Sequence, residues 1–403
     1  MNASVRLVAA LWFLLLVNYL DRVAISFAGP AIMQSLALGP AQFGIVLSSF
    51  GIGYLVAQIP AGMLADKWGA RTVLIVAPIL WALFTGLTGL VSSIAGFVVL
   101  RICLGLSEGL FFPPSHKLVG DTFPAKARAK VIAVILTASA LAPALASPMV
   151  GALVSSGGWR TMFAVMTVPA LAAALCSRWA IPAASAEYAT PGGERVLTAA
   201  SFARILGDPG LWLISVAFLG YNIAFWGYVG WMPTYLVQAH QIDLASLGPL
   251  GGIPYVFGFA GLVLGGWLGS TWLHRRRPQM MACFLLIASM SLYLAFQAES
   301  LVSCLVGLSA AAFFLFGCSA SIGATVLDLA PPAYRATYSA ASSTVGQLGP
   351  VIAPGAVGFL VAASGTFAGG FAFMIGALAV GAAAMIALVP RLAGHSAPAA
   401  SQS

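Results

Sequence analysis

The chain has 403 residues, 61% of them hydrophobic and only 7% charged, with a formal net charge of +8. A soluble domain carries about 25% charged residues, so this composition excludes a soluble globular protein and points to one embedded in a bilayer. The basic balance does not call for a nucleic-acid partner, because the placement of the basic residues gives it another reason.

A helix needs roughly 20 apolar residues to cross the hydrocarbon core. By that measure the sequence predicts twelve spans, at 7–33, 42–64, 73–91, 95–116, 131–155, 160–181, 210–236, 246–272, 279–297, 300–327, 337–362 and 366–390. The first is not a signal peptide, since eleven more follow and a charged pair interrupts it. That pair lies in "NYLDRVA", residues 18–24, which puts Asn18, Tyr19, Asp21 and Arg22 inside an otherwise apolar run. After span two comes "GMLADKWGAR". There Gly62 and Gly69 suit tight helix ends and turns. Asp66 can cap a neighbouring helix terminus or pair with a basic residue and hold that side shut, with Arg71 nearby.

Span four reads "LRICLGLSEGLFFPP". Arg101 and Glu108 are seven residues apart, nearly two turns, and so share one helix face, with Gly105 leaving room between them. Pro113 and Pro114 break the backbone ladder just beyond. Such a break is tolerated at membrane depth where neighbours or water re-satisfy the carbonyls. His116 follows near the end of the span, as a membrane-edge histidine or, alternatively, a proton relay. After span six, residues 182–209 read as a polar linker, with a short amphipathic helix at 195–206. In the second half, "YNIAFWGYVGW" (221–231) is an aromatic stretch carrying Asn222 and Tyr228, and span eleven carries Ser343 and Gln347. The expected organisation is a six-helix bundle at 1–181, the linker at 182–209, a second bundle at 210–391 and a disordered tail at 392–403.

The orientation follows from Lys and Arg in the loops. With an even number of spans both ends share one side, and that side collects fifteen basic residues against Arg160 alone on the other. Both termini are therefore expected in the cytoplasm, and the net charge is mostly a topology signal. Only Arg22 and Arg101 lie inside spans. The five cysteines are odd in number and form neither a disulfide framework nor a metal-spaced cluster.

The halves repeat. "DTFPAKARA" after span four carries Asp121, Pro124 and Arg128; "DLAPPAYRA" after span ten carries Asp328, Pro331 and Arg335 at the same spacing. Gly62 and Gly266, and Pro148 and Pro354, match at nearly the same offset. Transporters built from two parallel six-span halves place the substrate between them near the midplane.

These residues carry a resemblance. "GMLADKWGAR" is similar to the loop signature of the major facilitator superfamily, with Gly62, Asp66, Gly69 and Arg71 at the expected places; in the second copy Ser270 stands where the acidic residue would be. "YLDR" in span one, the span-four pattern and "GWRTMF" at 158–163 resemble the anion:cation symporter branch. That branch includes hexuronate and aldonate transporters and the animal sialic-acid and vesicular glutamate transporters. The resemblance implies an all-α membrane fold of two six-helix bundles related by a pseudo-two-fold axis. It implies that Arg22 binds substrate, that Asp21 and Glu108 couple protons, and that Arg101 holds the basic position of the span-four motif. Asp121, Arg128, Asp328 and Arg335 join the gating set.

The residues themselves agree. Charged side chains in a span usually face a cavity and pair with one another. Two arginines and two carboxylates sum to zero when all are ionised. With both carboxylates protonated the site is positive and suits an anion, because an arginine forks onto a carboxylate. Tyr19, Asn222, Tyr228, Ser343 and Gln347 are further candidate substrate contacts. The expectation is proton-coupled uptake of a small organic anion such as a sugar acid, by alternating access, by a monomer in the inner membrane. Its partners are the anion, protons and the bilayer; no metal, organic cofactor, nucleotide or nucleic acid is expected, and the proton is the coupling ion. A proton-coupled drug or metabolite exporter is the alternative. A membrane-embedded enzyme or a non-transporting receptor is more remote, since no nucleophile–base set is visible.

Overall fold

A computed structural model describes residues 3–181, 199–331 and 334–395. Every regular element among them is helical. In chain order these are α1 Ala3–Leu36, α2 Pro40–Trp68, α3 Ala70–Thr88, α4 Ile94–Gly109, α5 Phe112–Thr122, α6 Ala125–Ala180, α7 Ala199–Leu206, α8 Pro209–His240 and α9 Leu244–Ser270. They continue with α10 Arg277–Phe296, α11 Leu301–Leu329, α12 Arg335–Gly346, α13 Leu348–Ser364 and α14 Ala368–His395. A 3-10 turn, His274–Arg276, joins α9 to α10.

Eleven helical segments among the described residues are long and apolar enough to cross a membrane. One of them is double. α6 has 56 residues, which at 1.5 Å per residue is about 84 Å, nearly three hydrocarbon cores. It is interrupted at Gly158, whose φ of 77° and ψ of 168° are not helical. Spans five and six therefore lie on either side of that kink, and the twelve crossings expected from hydropathy are recovered. α4 stops at Gly109 and α5 begins at Phe112 with proline in its first turn, so the break falls where Pro113 and Pro114 place it. Only residues 199–206 of the linker helix expected at 195–206 fall among the described ones, as α7. α14 runs on to His395, past the start of the tail expected from residue 392.

The burial pattern is the reverse of a soluble protein's. Ile59, Leu90, Leu175 and Val302 stand exposed, whereas Asp21, Arg22, Arg101 and Glu108 are buried. Lipid offers no hydrophobic drive for helices to associate, so close packing has to supply it. α2 and α4 meet through glycine: a Cβ on Gly105 would land on the carbonyl oxygen of Phe50, and one on Gly53 on that of Ile102. α9 and α11 repeat this crossing, with Gly261 against the Phe313 carbonyl.

The chain packs as two compact units. Unit 1 holds Met1–Pro191, Gly227–Val256 and Pro350–Gly370; unit 2 holds Gly192–Trp226, Phe257–Gly349 and Phe371–Ser403. Within unit 1, α1 lies along α6, α2 along α4, and α3 against both α4 and α6. Segments of α8, α9 and α13 join the same unit through polar ties. Trp231 Nε1 donates to the Pro354 carbonyl at 2.9 Å, the Gly355 N–H donates to Ser48 Oγ at 2.8 Å, and Ser147 Oγ donates to the Gly248 carbonyl at 2.7 Å. Within unit 2, α10 packs along α11.

Candidate functional site

Four helices of unit 1 converge on the buried charges. α1 supplies Asn18, Asp21 and Arg22. One turn of helix separates Asn18 from Arg22, so both project on one side, and Arg22 Nη2 donates to Asn18 Oδ1 at 3.1 Å. From α4, Glu108 receives the same guanidinium: Arg22 Nε and Nη2 both lie 3.2 Å from Glu108 Oε2. Both nitrogens share one oxygen, and Glu108 Oε1 has no hydrogen-bond partner.

Aromatic rings enclose this pair. The Arg22 guanidinium carbon sits 4.5 Å from the Tyr54 ring centroid, 4.7 Å from Tyr19 and 4.8 Å from Phe50. Phe50 and Tyr54 are one turn apart on α2 and their rings stack, centroids 5.9 Å apart. The Gly53–Gly105 crossing lets these rings come so near. A cation against desolvated aromatic faces gains up to about 2 kcal/mol, which partly offsets its burial.

Asp21 is next to Arg22 in sequence, but a residue's step along a helix turns it by about 100°. It faces α3 instead, where Thr85 Oγ1 donates to Asp21 Oδ2 at 3.3 Å. Its other oxygen has no partner. Arg101, on α4, also lies over the Phe50 ring, 4.8 Å from the centroid. It is 2% exposed, yet its Nε and Nη1 have no hydrogen-bond partner. Among the described residues the three ion pairs are Arg22–Glu108, Asp66–Lys117 and Arg277–Asp328; Arg101 joins none of them. The structure thus holds a buried guanidinium with spare donors beside a second one that a single carboxylate oxygen engages.

The second-half candidates separate. Tyr228 is buried in unit 1, edge-on to Tyr255, which is edge-on to Phe27 of α1. Asn222, Ser343 and Gln347 belong to unit 2. Asn222 is buried, with Nδ2 unpartnered. Gln347 is half-buried at the break between α12 and α13, and Ser343 is exposed, while its neighbour Ser342 is buried with an unpartnered hydroxyl. His116 is exposed against the Phe112 ring.

The loop motif resolves into specific contacts. Lys117 Nζ donates to Asp66 Oδ1 at 2.5 Å and to the Ala65 carbonyl at 3.3 Å, tying the end of α2 to α5. Gly69, with φ of 83°, makes the turn into α3. Gly62 differs from expectation: it lies within α2 with open space where its Cβ would be, so Gly69 alone makes the turn. Arg71 Nη2 donates to the Arg178 carbonyl at 2.9 Å. Arg128 closes the end of α5 by donating to the Phe123 and Gly120 carbonyls at 2.9 and 2.7 Å. Asp121 and Arg335 are exposed. In unit 2 Arg277 Nη1 donates to Asp328 Oδ2 at 2.5 Å; these stand at the repeat positions of Arg71 and Asp121, so the second-half ion pair is not a copy of Asp66–Lys117.

Sequence reasoning missed Phe50, Tyr54 and Thr85. It also missed Gln58, one turn past Tyr54, whose Nε2 is buried and unpartnered. A tyrosine and a glutamine at i and i+4 in an apolar span were the signal available for two of them.

Comparison with known proteins places these features. The family model described as Major Facilitator Superfamily matches residues 11–354. A hexuronate transporter of Bacillus subtilis (strain 168) is 28% identical over 390 residues, covering 90% of this chain and 89% of the relative. A probable galactarate/D-glucarate transporter of Escherichia coli (strain K12) is 30% identical over 412 residues, covering 93% and 90%. Among solved structures, a bacterial homologue of the human lysosomal transporter Spinster aligns with a TM-score of 0.79 at 21% identity, covering 98% of this chain and 95% of that one. At that identity the match shows the fold alone.

Proposed function

The chain belongs to the Major Facilitator Superfamily, whose members are multi-pass membrane transporters and not enzymes, and from that premise we propose that it carries a small organic anion, a sugar acid or similar carboxylate, inward together with protons. The relatives named for hexuronate and for galactarate and D-glucarate support the anion class. The observation that carries the reading is Arg101: a buried guanidinium with two unpartnered nitrogens suits a carboxylate that arrives from outside. A carrier of cations would need an uncompensated acidic site, and this one has as many arginines as carboxylates.

Asp21 and Glu108 each keep one unpartnered oxygen, so each has a place for a proton. Protonation of Glu108 removes the charge that engages Arg22. Arg22 can then turn its planar fork to the substrate carboxylate while Arg101 holds it. When the protons leave, Glu108 reclaims Arg22 and the anion loses half its anchor. Bound anion and bound protons therefore travel together through an alternating-access cycle. The fifteen-to-one basic asymmetry supports both termini in the cytoplasm of an inner membrane, and one chain with two halves supports a monomer.

The test is uptake of a panel of sugar acids into proteoliposomes under an imposed pH gradient and an imposed potential. Accumulation driven by outside acid, with proton movement tracked by an internal dye, is the expected result. A monoanion carried with two protons moves one net charge, so an inside-negative potential should speed uptake by drawing on about 2.3 kcal/mol per charge per 100 mV. Uptake of such anions with no accompanying proton flux overturns the coupling.

A further inference from the structure

We propose that the turn between α9 and α10 is a docking site for an anionic phospholipid, with Arg275 and Arg276 taking the phosphate and Trp267 and Trp272 seating the glycerol and upper acyl region. This inference does not depend on which solute the protein carries.

Three observations point there. First, the 3-10 turn His274–Arg276 places three basic or titratable side chains in succession, all exposed, and none has an ion-pair partner among the described residues. The next residue, Arg277, is already spent on Asp328 and on the Gly269 carbonyl, to which its Nε donates at 2.6 Å. That contact pins the turn to the end of α9, so the two free arginines are presented from a fixed base.

Second, two tryptophans stand beside them. Trp267 and Trp272 are 48% and 79% exposed, with ring centroids 5.4 Å apart. Indole rings favour the zone between headgroups and chains, and Trp272 stands three residues before Arg275, so indoles seated there bring the arginines to phosphate depth. A hydrocarbon-facing surface below and a phosphate-depth cation pair above match the two ends of one lipid molecule.

Third, the counterpart turn in the first half is built differently. There Trp68 is exposed next to Lys67, while Arg71 is engaged with the Arg178 carbonyl. A single free cation such as Lys67 is an ordinary solvated anchor. Two free guanidinia next to a tryptophan pair in sequence offer bidentate donors for one phosphate.

A basic residue near an anionic bilayer surface gains on the order of fivefold in affinity. Losing both arginines should therefore weaken lipid binding by about twentyfold or more. The measurement is native mass spectrometry of the detergent-purified full chain titrated with phosphatidylglycerol, with phosphatidylcholine as the zwitterionic comparison. The wild type should retain phosphatidylglycerol preferentially. Arg275→Gln with Arg276→Gln should remove the preference. Trp267→Leu with Trp272→Leu should weaken binding of both lipids, since the indoles read depth rather than charge. Lys67→Gln is the control for general surface charge. If Lys67→Gln lowers phosphatidylglycerol retention as much as the double arginine variant, or if the double variant retains it fully, the site is not here. Peptide mapping of hydrogen exchange with and without phosphatidylglycerol gives an independent reading. Protection confined to the α9–α10 turn supports the proposal, and protection spread evenly over the basic loops overturns it.

Discussion

Replacing Arg101 with methionine should move stability and binding in opposite directions. In the structure Arg101 is 2% exposed, joins no ion pair among the described residues, and has two nitrogens without a hydrogen-bond partner. Burying an ion costs several kcal/mol after relaxation, and swapping buried charge for well-packed apolar volume is often stabilising by roughly 1–4 kcal/mol. The compensation from the Phe50 face is about 2 kcal/mol. With Arg101 gone, the site has one guanidinium for two carboxylates, a balance that a single proton restores. Arg101→Met should therefore raise Tm, at roughly 1 °C per kcal/mol for a chain of this size. It should also remove two charge-assisted hydrogen bonds to the substrate, each about 1.5–3 kcal/mol, so affinity should fall by about a hundredfold or more. Differential scanning fluorimetry of the purified protein with and without the best-binding sugar acid reads both at once. The wild type should gain Tm on adding the acid; the variant should start higher and gain nothing. A variant that starts lower and still shifts with ligand would make Arg101 a structural cation and refute the reasoning.

Asp21→Asn and Glu108→Gln should each abolish proton-driven accumulation yet leave counterflow exchange, because each mimics a protonated carboxylate; uptake at wild-type rates in both, measured in proteoliposomes under a pH gradient, sinks their assignment. Arg22→Ala should eliminate detectable anion binding and Arg22→Lys weaken it severely, since an ammonium lacks the planar fork, while both still elute as monodisperse proteins; wild-type affinity in a folded Arg22→Ala would make Arg22 structural. Gly105→Ala puts a methyl group on the Phe50 carbonyl and should destabilise by about 1–3 kcal/mol, with a fall in anion affinity because Phe50 and Tyr54 ride on the displaced helix. Fluorimetry showing an unchanged Tm would mean that the α2–α4 crossing is looser than the structure has it.

The fold was legible where composition acts over long runs. Twenty-residue apolar stretches and two consecutive prolines after Glu108 each have a direct consequence for backbone or burial, and those consequences appear. The identity of the charged residues was legible for the same reason, since a charge in a hydrocarbon run is rare. Their pairing was not. Nothing local says that Arg22 turns to Glu108, 86 positions away, while Asp21 goes to Thr85; that depends on where α3 and α4 cross α1. Phe50, Tyr54 and Thr85 sat unseen because aromatic and hydroxyl residues are ordinary in a span, and only the glycine-mediated crossing of α2 and α4 gives them a role. Ser343 shows the limit of register: the buried, unpartnered hydroxyl belongs to Ser342, one residue and about 100° away.

The pairing also separates the roles of two arginines that the sequence presents as equivalent. Arg22 is conditional: a carboxylate oxygen, Asn18 and the Tyr54 side chain hold it, and Glu108 is the charged one among them, so its availability to an anion depends on whether Glu108 is charged. Arg101 has no such competitor within ion-pairing distance, so it can receive an anion in either state. In the proposed cycle Arg101 therefore captures, and Arg22 reports protonation by completing or abandoning the grip. The single-oxygen geometry at Glu108 makes this switching feasible. Because Oε1 is unpartnered, a proton can land there before the bridge to Arg22 has broken, and the bridge weakens as the charge disappears. A bidentate bridge would engage both oxygens, so an arriving proton would have to compete with the guanidinium at either of them. Coupling of proton to anion then rests on a bond that the resting site makes only halfway.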